Sequence, residues 1–286
     1  MVAVGLALLS AVLFGAMSVG LRIGLSRHPN VEVATVATVG AALVVAVGFA
    51  AAEAPSRGVH AGDAWPFLLA GLLQPGIGQM LVTLAIREAG ASRASVVFGA
   101  GPLVSVTIAL VVLGEPARAV LIVGAVLIVA GGFELARERD RPEHVRVIGL
   151  FYAFLVTVLF STRDNLVRWL AKGTSTPPGV AAASALLGGF LVILAVLGPR
   201  LRRTAWAEVA PFLGVGVFFG LSYVSLFEAF YRGRVTVVSP LVATESLWGV
   251  GLSLLLLRHT ELVGRRVLAG AALIVAGGVL IGIYAG

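Results

Sequence analysis

Long stretches of apolar residues, separated by short polar connections, run from one end of the chain to the other. Each stretch approaches or exceeds the roughly 20 residues that an α-helix needs to cross a bilayer core of about 30 Å. Ten such runs are present, at residues 2–22, 31–52, 65–86, 93–113, 117–136, 146–168, 179–198, 208–230, 235–257 and 264–284. The pattern predicts an all-α membrane protein with ten transmembrane helices.

The internal composition of the runs argues against other kinds of membrane segment. A transmembrane barrel needs segments of about ten residues that alternate in polarity, whereas these runs are continuous and rich in Leu, Val and Ala. The first run has no basic segment before it and no cluster of small residues typical of a cleavage site. We therefore interpret the first run as a retained span and not as a signal peptide.

Composition excludes several function classes. The 286 residues are 59% hydrophobic and 12% charged, and soluble domains contain about 25% charged residues. A soluble enzyme and a disordered chain are therefore not expected. The net charge is +7, but the basic residues are distributed among the connections and form no patch for nucleic acid. No cysteine is present, and no motif indicates a metal site, a cofactor or an ATP-binding domain.

The chain repeats itself. Gly124–Gly132 reads GAVLIVAGG, and Gly270–Gly278, 146 residues later, reads GAALIVAGG. The same shift carries Glu115 onto Glu261 and Arg22 onto Arg168. The repeat predicts two five-helix halves, at residues 1–138 and 147–286, joined by a charged linker at 139–146.

The number of spans in each half determines how the halves are oriented. With five spans, the second half enters the membrane upside down relative to the first. Such inverted repeats are typical of secondary transporters, which bind substrate near the midplane where the halves meet. We therefore expect alternating access around a central cavity.

Two sets of residues carry a resemblance to a known family. In the first half they are Phe14-Gly15-Ala16-Met17-Ser18, Arg22, Ala85-Ile86-Arg87, Pro102, Gly114-Glu115-Pro116, Gly124 and Gly131-Gly132. In the second half they are Tyr223, Ala229, Glu245, Glu261 and Gly270 through Gly278. With these residues each half resembles an EamA domain of the drug/metabolite transporter superfamily. The chain departs from the family pattern at Ser246, where proline is common, and at Arg258-His259-Thr260-Glu261, which replaces a Gly-Glu pair.

The resemblance implies a multi-pass carrier of the plasma or inner membrane that moves small metabolites, amino acids or drugs, often outward. It also implies that both termini lie in the cytoplasm. The distribution of arginine favours the opposite orientation, because the connections on the side away from the termini are richer in arginine. Substrate, direction, coupling ion and oligomeric state stay open at this point.

Glu245 is the most informative ionisable residue, since it lies near the middle of the ninth run. A carboxylate at that depth must be paired, hydrated or protonated. We predict either a site in the central cavity for proton coupling or for a substrate amine, or a structural hydrogen bond to a neighbouring helix. Trp248 is three residues further on and shares a helix face with Glu245, so it is a candidate substrate contact or an ordinary packing residue.

Other polar residues inside the runs extend the candidate site. Asp164 and Glu228 are further candidates for proton coupling, and Gln79, Arg163 and Tyr223 are candidates for substrate binding. Adjacent residues on a helix do not face each other, so Arg163 and Asp164 are expected to pair poorly, and Asp164 is expected to pair with Arg168. Arg163 then needs a partner elsewhere, a substrate carboxylate or an outward-reaching conformation. Alternatively, the sixth span stops near Ser161, and the sequence RDNLVRWLAK that follows is an interfacial amphipathic stretch.

Two further features have mainly structural interpretations. Glu115 and Glu261 each precede a helix, where a carboxylate meets the positive end of the helix dipole. Gln74 and Gln79 flank Pro75-Gly76 in the third run. This sequence predicts an interrupted helix with freed carbonyl groups that could line a cavity. The alternative, favoured for Gln74, is that the glutamine side chains form hydrogen bonds across helices.

The favoured function is a non-enzymatic secondary transporter that contacts lipid and a small-molecule substrate. Two alternatives remain: a lipid flippase or scramblase on the same fold, and a membrane receptor or assembly subunit that transports nothing.

Overall fold

Helices account for the regular structure of the described residues. The computed structural model describes residues 1–57, 61–89, 97–98, 100–137, 147–201, 206–256 and 265–284. The helices are α1 (Val2–Arg27), α2 (Val31–Arg57), α3 (Ala61–Gly71), α4 (Gly78–Ala89), α5 (Gly101–Val111), α6 (Ala119–Arg137), α7 (Val147–Gly173), α8 (Pro178–Leu197), α9 (Trp206–Arg232), α10 (Val235–Val242), α11 (Glu245–Leu256) and α12 (Arg265–Tyr284). Every predicted apolar run overlaps at least one of them.

Six helical segments among the described residues are long and apolar enough to cross a membrane. Shorter apolar helices lie at Gly101–Val111, Ala119–Glu134 and Ala269–Ile281. The prediction of an all-α protein with several membrane spans is confirmed, and the count of ten spans stays a prediction. The linker at 139–146 and the segment with Glu261 lie outside the described residues.

The third run is interrupted where Gln74 and Pro75 predict it. Gln74 leaves the helical conformation, with φ −152° and ψ 122°, inside the wide turn Leu72–Ile77 between α3 and α4. Proline disrupts the helix because it has no N–H and its ring crowds the preceding turn. Gly189 of α8 packs against this turn, since a Cβ at Gly189 would lie 2.5 Å from Pro75 Cγ.

The ninth run is also interrupted, which the sequence analysis missed. Helix α10 ends at Val242 and α11 begins at Glu245. The hydroxyl of Thr244 donates to the carbonyl of Leu241 at 2.6 Å, which satisfies a group at the end of α10. In the first half, α5 begins at Gly101, 144 residues before Glu245. A helix therefore begins at the equivalent position in the fourth run of each half.

Helices α6 and α12 are equivalent members of the two halves, and they pack closely against each other. A Cβ at Gly131 would lie 2.5 Å from the carbonyl oxygen of Gly270, and a Cβ at Gly277 would lie 2.5 Å from that of Gly124. Small residues allow such backbone approach in lipid. From Gly124 to Gly131 along α6, the contacted residues of α12 run backwards from Gly277 to Gly270. The two helices are therefore antiparallel, as inverted halves require.

The sixth run forms one continuous helix, α7, from Val147 to Gly173. The helix continues past Ser161 without a break, and the alternative that the membrane span stops near Ser161 stays a prediction. Arg163 lies inside the bundle, since it is 5% exposed. Asp164 is the next residue of the same helix.

Candidate functional site

A cavity of about 120 Å³ lies between the two halves. Helix α1 and the turn before α4 line it from the first half, together with Phe98 and the start of α5. Helices α7, α9, α10 and α11 line it from the second half. Of the predicted site residues, Arg163, Asp164, Tyr223 and Glu245 line this cavity. The structure therefore brings together four polar residues that come from three helices.

Arg163 and Asp164 form the charged part of the cavity wall. Arg163 Nε lies 3.1 Å from Asp164 Oδ1, so these adjacent residues meet although their side-chain directions diverge. The contact is an ion pair without hydrogen-bond geometry, because both atoms and Arg163 Nη1 have no hydrogen-bond partner. The Ser239 hydroxyl of α10 donates to Asp164 Oδ2 at 3.4 Å. Arg163 thus has donors, and Asp164 an acceptor, without hydrogen-bond partners in the cavity wall.

Arg168 is not the partner of Asp164 that the sequence predicted. Arg168 Nη1 donates to the carbonyl oxygens of Phe230 and Tyr231, at 2.8 and 3.2 Å, where α9 ends. The last carbonyls of a helix lack internal partners and attract cations. The guanidinium of Arg168 therefore stabilises the end of α9 and not the charged wall.

Tyr223 joins α9 to the interruption in the third run. Its hydroxyl donates to the carbonyl oxygen of Gln74 at 2.9 Å, and the Arg163 guanidinium carbon lies 5.3 Å from the Tyr223 ring centroid. The freed carbonyl that the sequence predicted therefore has a partner. The side-chain oxygen of Gln74, which lines the cavity, has none.

A row of polar side chains on α7 was missed by sequence reasoning. Thr157, Ser161 and Asn165 donate to the carbonyls of residues Val97, Gly101 and Ser105, at 3.1, 3.1 and 3.0 Å. The four-residue spacing was a usable signal, because it places all three on one helix face. These bonds attach α7 to Val97 and to the first half of α5.

Glu245 lines the cavity from the first residue of α11. It is central in the ninth run, as predicted, but the interruption places its carboxylate at a helix N-terminus. There the helix dipole favours negative charge. The interruption therefore gives the carboxylate a favourable environment in the middle of an apolar run.

Three predicted residues are not among those that line the cavity. Trp248 is 40% exposed, and its Cβ packs against Gly15 of α1. Glu228 forms an ion pair with Arg232 at 2.7 Å, one turn further along α9. Gln79 lies in the first turn of α4, beyond the cavity wall.

The remaining cavity wall is aromatic. Phe14 of α1 and Phe219 of α9 meet edge to face with ring centroids 6.0 Å apart, and Phe219 meets Tyr223 in the same way at 5.7 Å. On the α1–α9 contact, Ser10 and Ser222 each donate to the other's carbonyl, at 3.0 and 2.9 Å. The cavity thus offers a charged wall and an aromatic wall to one occupant.

Glu115 lies outside the cavity and caps a helix other than the one predicted. Its two carboxylate oxygens accept the N–H groups of Val235 and Thr236, both at 3.0 Å. It thus caps α10 in the other half, and not α6, which begins four residues after it. Among the described residues, no group of three or more His, Asp or Glu side chains could hold a metal ion.

Comparison with known proteins gives a consistent result for both halves. Residues 1–135 and 147–283 each match the model of the EamA-like transporter family. No curated protein matches the chain. A solved structure titled "Crystal structure of protein" is similar at a TM-score of 0.80 and 20% identity, over 99% of this chain and 97% of the other. That similarity shows a shared fold.

Proposed function

Because the chain belongs to the EamA-like transporter family, we propose that it is a secondary transporter that exports small metabolites, amino acids or drug-like compounds by alternating access. We further propose ten spans in two inverted halves, residues 1–138 and 147–286, in the cell membrane. Transport is coupled to protons in this proposal.

The observation that carries the proposal is the cavity between the halves. Secondary transporters bind substrate near the midplane at the interface of their repeats. Ionisable side chains inside a membrane protein usually face such a cavity or a partner. Here Arg163, Asp164 and Glu245 all line one cavity that both halves enclose.

The two walls of the cavity support a small amphipathic substrate. Arg163 supplies donors without hydrogen-bond partners, Gln74 supplies an acceptor, and the aromatic rings supply apolar surface. Pockets for drug-sized ligands measure about 300–1,000 Å³, so a cavity of about 120 Å³ accommodates one only after part of its wall moves. Such movement is what alternating access requires.

Residue roles follow from position. We assign substrate binding to Arg163 and Tyr223, and proton transfer to Glu245 and Asp164. Gln79, Trp248 and Glu228 take part only in a conformation that brings them to the cavity.

A substrate can be found by thermal unfolding of the purified protein with amino acids, nucleosides, sugars and cationic drugs. A compound that binds the folded state raises the melting temperature by mass action. A compound from the screen then serves as the substrate for transport assays.

The proton-coupling proposal predicts that Glu245→Gln loses transport driven by a pH gradient in proteoliposomes, because Gln cannot release a proton. Counterflow of the same substrate without a gradient is expected to continue. The matched control is Glu32→Gln, which removes a carboxylate from an exposed ion pair with Arg200 at 2.8 Å. Unchanged pH-driven transport in Glu245→Gln would contradict the role of Glu245.

A further inference from the structure

A buried carboxylate that the cavity does not use joins the two halves. Glu115 is 6% exposed and lies in the connection between α5 and α6. Its oxygens accept the N–H groups of Val235 and Thr236, the first two residues of α10. Hydrogen bonds to a charged group are stronger than neutral ones. One side chain of the first half thus holds the start of a helix in the second half.

The turn that leads into α10 is held from its other side as well. Arg168 of α7 donates to the carbonyls of Phe230 and Tyr231, at the end of α9. The carbonyls before the turn and the N–H groups after it therefore each have a charged partner. The bonds of Arg168 lie within the second half, whereas the bonds of Glu115 cross between halves.

Helix α10 borders the central cavity, because Ser239 and Val242 line it. We call the end of the protein where α9 ends and α10 begins the Glu115 end. Residues 235–241 are all buried, and α10 packs against α1, α5 and α6. Helix α11, which follows α10 in the chain, is less enclosed, with Trp248 40% and Leu255 62% exposed.

We propose that Glu115 is a positioning residue that holds the Glu115 end closed and releases α10 when that end opens. This inference rests on the alternating access proposed above, because such a protein must open each end in turn. Opening the Glu115 end separates α10 from α5 and α6. The two bonds of Glu115 join these parts, so they stabilise the closed state and not the open one.

The absence of cysteine from the chain allows a direct test with one reporter thiol. Val238→Cys places the thiol on α10, where the native side chain is 0% exposed. The rate of its reaction with a hydrophilic maleimide in detergent reports how often this end opens. Adding Glu115→Gln is expected to raise that rate at least about tenfold, since hydrogen bonds to a charged group are lost.

Two controls separate opening of this end from general loosening. Ile193→Cys places the reporter on α8, also at 0% exposure, and its reaction rate is expected to stay the same when Glu115→Gln is added. The Glu32→Gln change breaks an exposed contact between α2 and Arg200, and the Val238→Cys rate is expected to stay the same. Equal increases at both reporters, or none at Val238→Cys, would overturn the proposal.

A second variant leaves Glu115 intact. Val235→Pro removes one donor, and proline is favoured at the first position of a helix. The preceding residue, Arg234, already has φ −80° and ψ 150°, which suits a residue before proline. This variant is expected to raise the reaction rate of Val238→Cys as well. When Val235→Pro and Glu115→Gln are combined, the increase in rate is expected to be smaller than the product of their separate increases. Full additivity would contradict the proposed bond.

Because the thiol assay needs no substrate, its result is independent of the substrate assignment. Counterflow in the native protein with an unchanged thiol rate in Glu115→Gln would refute the role of Glu115 alone. Absence of counterflow with every compound, combined with the expected thiol rates, would refute the transporter proposal, and Glu115 would then restrain α10 without a role in transport.

Discussion

At the scale of single residues, the cavity wall includes a backbone carbonyl that lies outside a regular helix and a side chain that donates to it. The Gln74 carbonyl is available because Gln74 leaves the helical conformation, and Tyr223 donates to it. The sequence predicted the interruption from Pro75 but could not name the partner, which lies 149 residues away.

The adjacent ion pair in α7 shows a limit of reasoning from helix geometry. Side-chain directions at Arg163 and Asp164 diverge, which favours partners three or four residues away. A long arginine side chain can turn back to its neighbour, and here Nε reaches Oδ1 at 3.1 Å. Burial favours this contact, because an unpaired charge inside the protein is strongly destabilising.

We predict that Tyr223→Phe lowers the stability of the protein by about 1–2 kcal/mol, because it leaves the buried Gln74 carbonyl without its donor. Thermal unfolding in detergent measures the change. Tyr284→Phe is the control, since Tyr284 is 51% exposed at the end of α12. Equal melting temperatures for Tyr223→Phe and the native protein would show that another group satisfies Gln74.

At the scale of elements, the two halves begin a helix at equivalent positions beside the cavity. Helices α5 and α11 begin 144 residues apart, and both starts line the cavity at Gly101 and Glu245. The sequence suggested a continuous ninth run, because residues 235–257 are mostly apolar and no glycine lies at the break. Proline at residue 240 was a signal, but prolines also occur inside continuous helices here, such as Pro211 in α9.

The packing of α6 against α12 makes a quantitative prediction. A Cβ at Gly131 or Gly277 would meet a backbone carbonyl oxygen at 2.5 Å, so alanine at either position must push the helices apart. We expect each substitution to lower stability by about 1–3 kcal/mol, the usual range for overpacking, and both by similar amounts. Melting temperatures in detergent provide the measurement.

The control for this prediction is Gly48→Ala in α2, where a Cβ would have no neighbour within 4 Å. Alanine there is expected to leave stability unchanged or raise it slightly, because alanine favours helix over glycine. A loss at Gly48→Ala as large as at Gly131→Ala would mean that helix packing is not the cause.

At the scale of the whole molecule, both ends of the described chain lie at the Glu115 end. A Cβ at Gly233, just before α10, would meet Ala3 at 2.7 Å. Arg118, three residues after Glu115, donates to the carbonyl of Tyr284 at 3.2 Å. An even number of membrane crossings produces this arrangement.

We therefore predict that Val2→Cys and Tyr284→Cys react with an impermeant maleimide from the same side of sealed, oriented vesicles. The distribution of arginine favours the outer side for both. Labelling before and after the vesicles are opened distinguishes the two sides. Reaction from opposite sides would require an odd number of crossings and would contradict the ten-span proposal.

The sequence by itself determined the helical membrane class, the two related halves and the interruption at Gln74, because each depends on residues near one another or on the repeat. The tertiary structure alone decided which side chains meet. Glu115 and Val235 are 120 residues apart, and no local pattern predicts that α10 starts beside the α5–α6 connection. Trp248 makes the same point, since it shares a helix face with Glu245 in sequence yet lies outside the cavity lining. Helix packing selects the partners, because it determines which faces of distant segments come into contact.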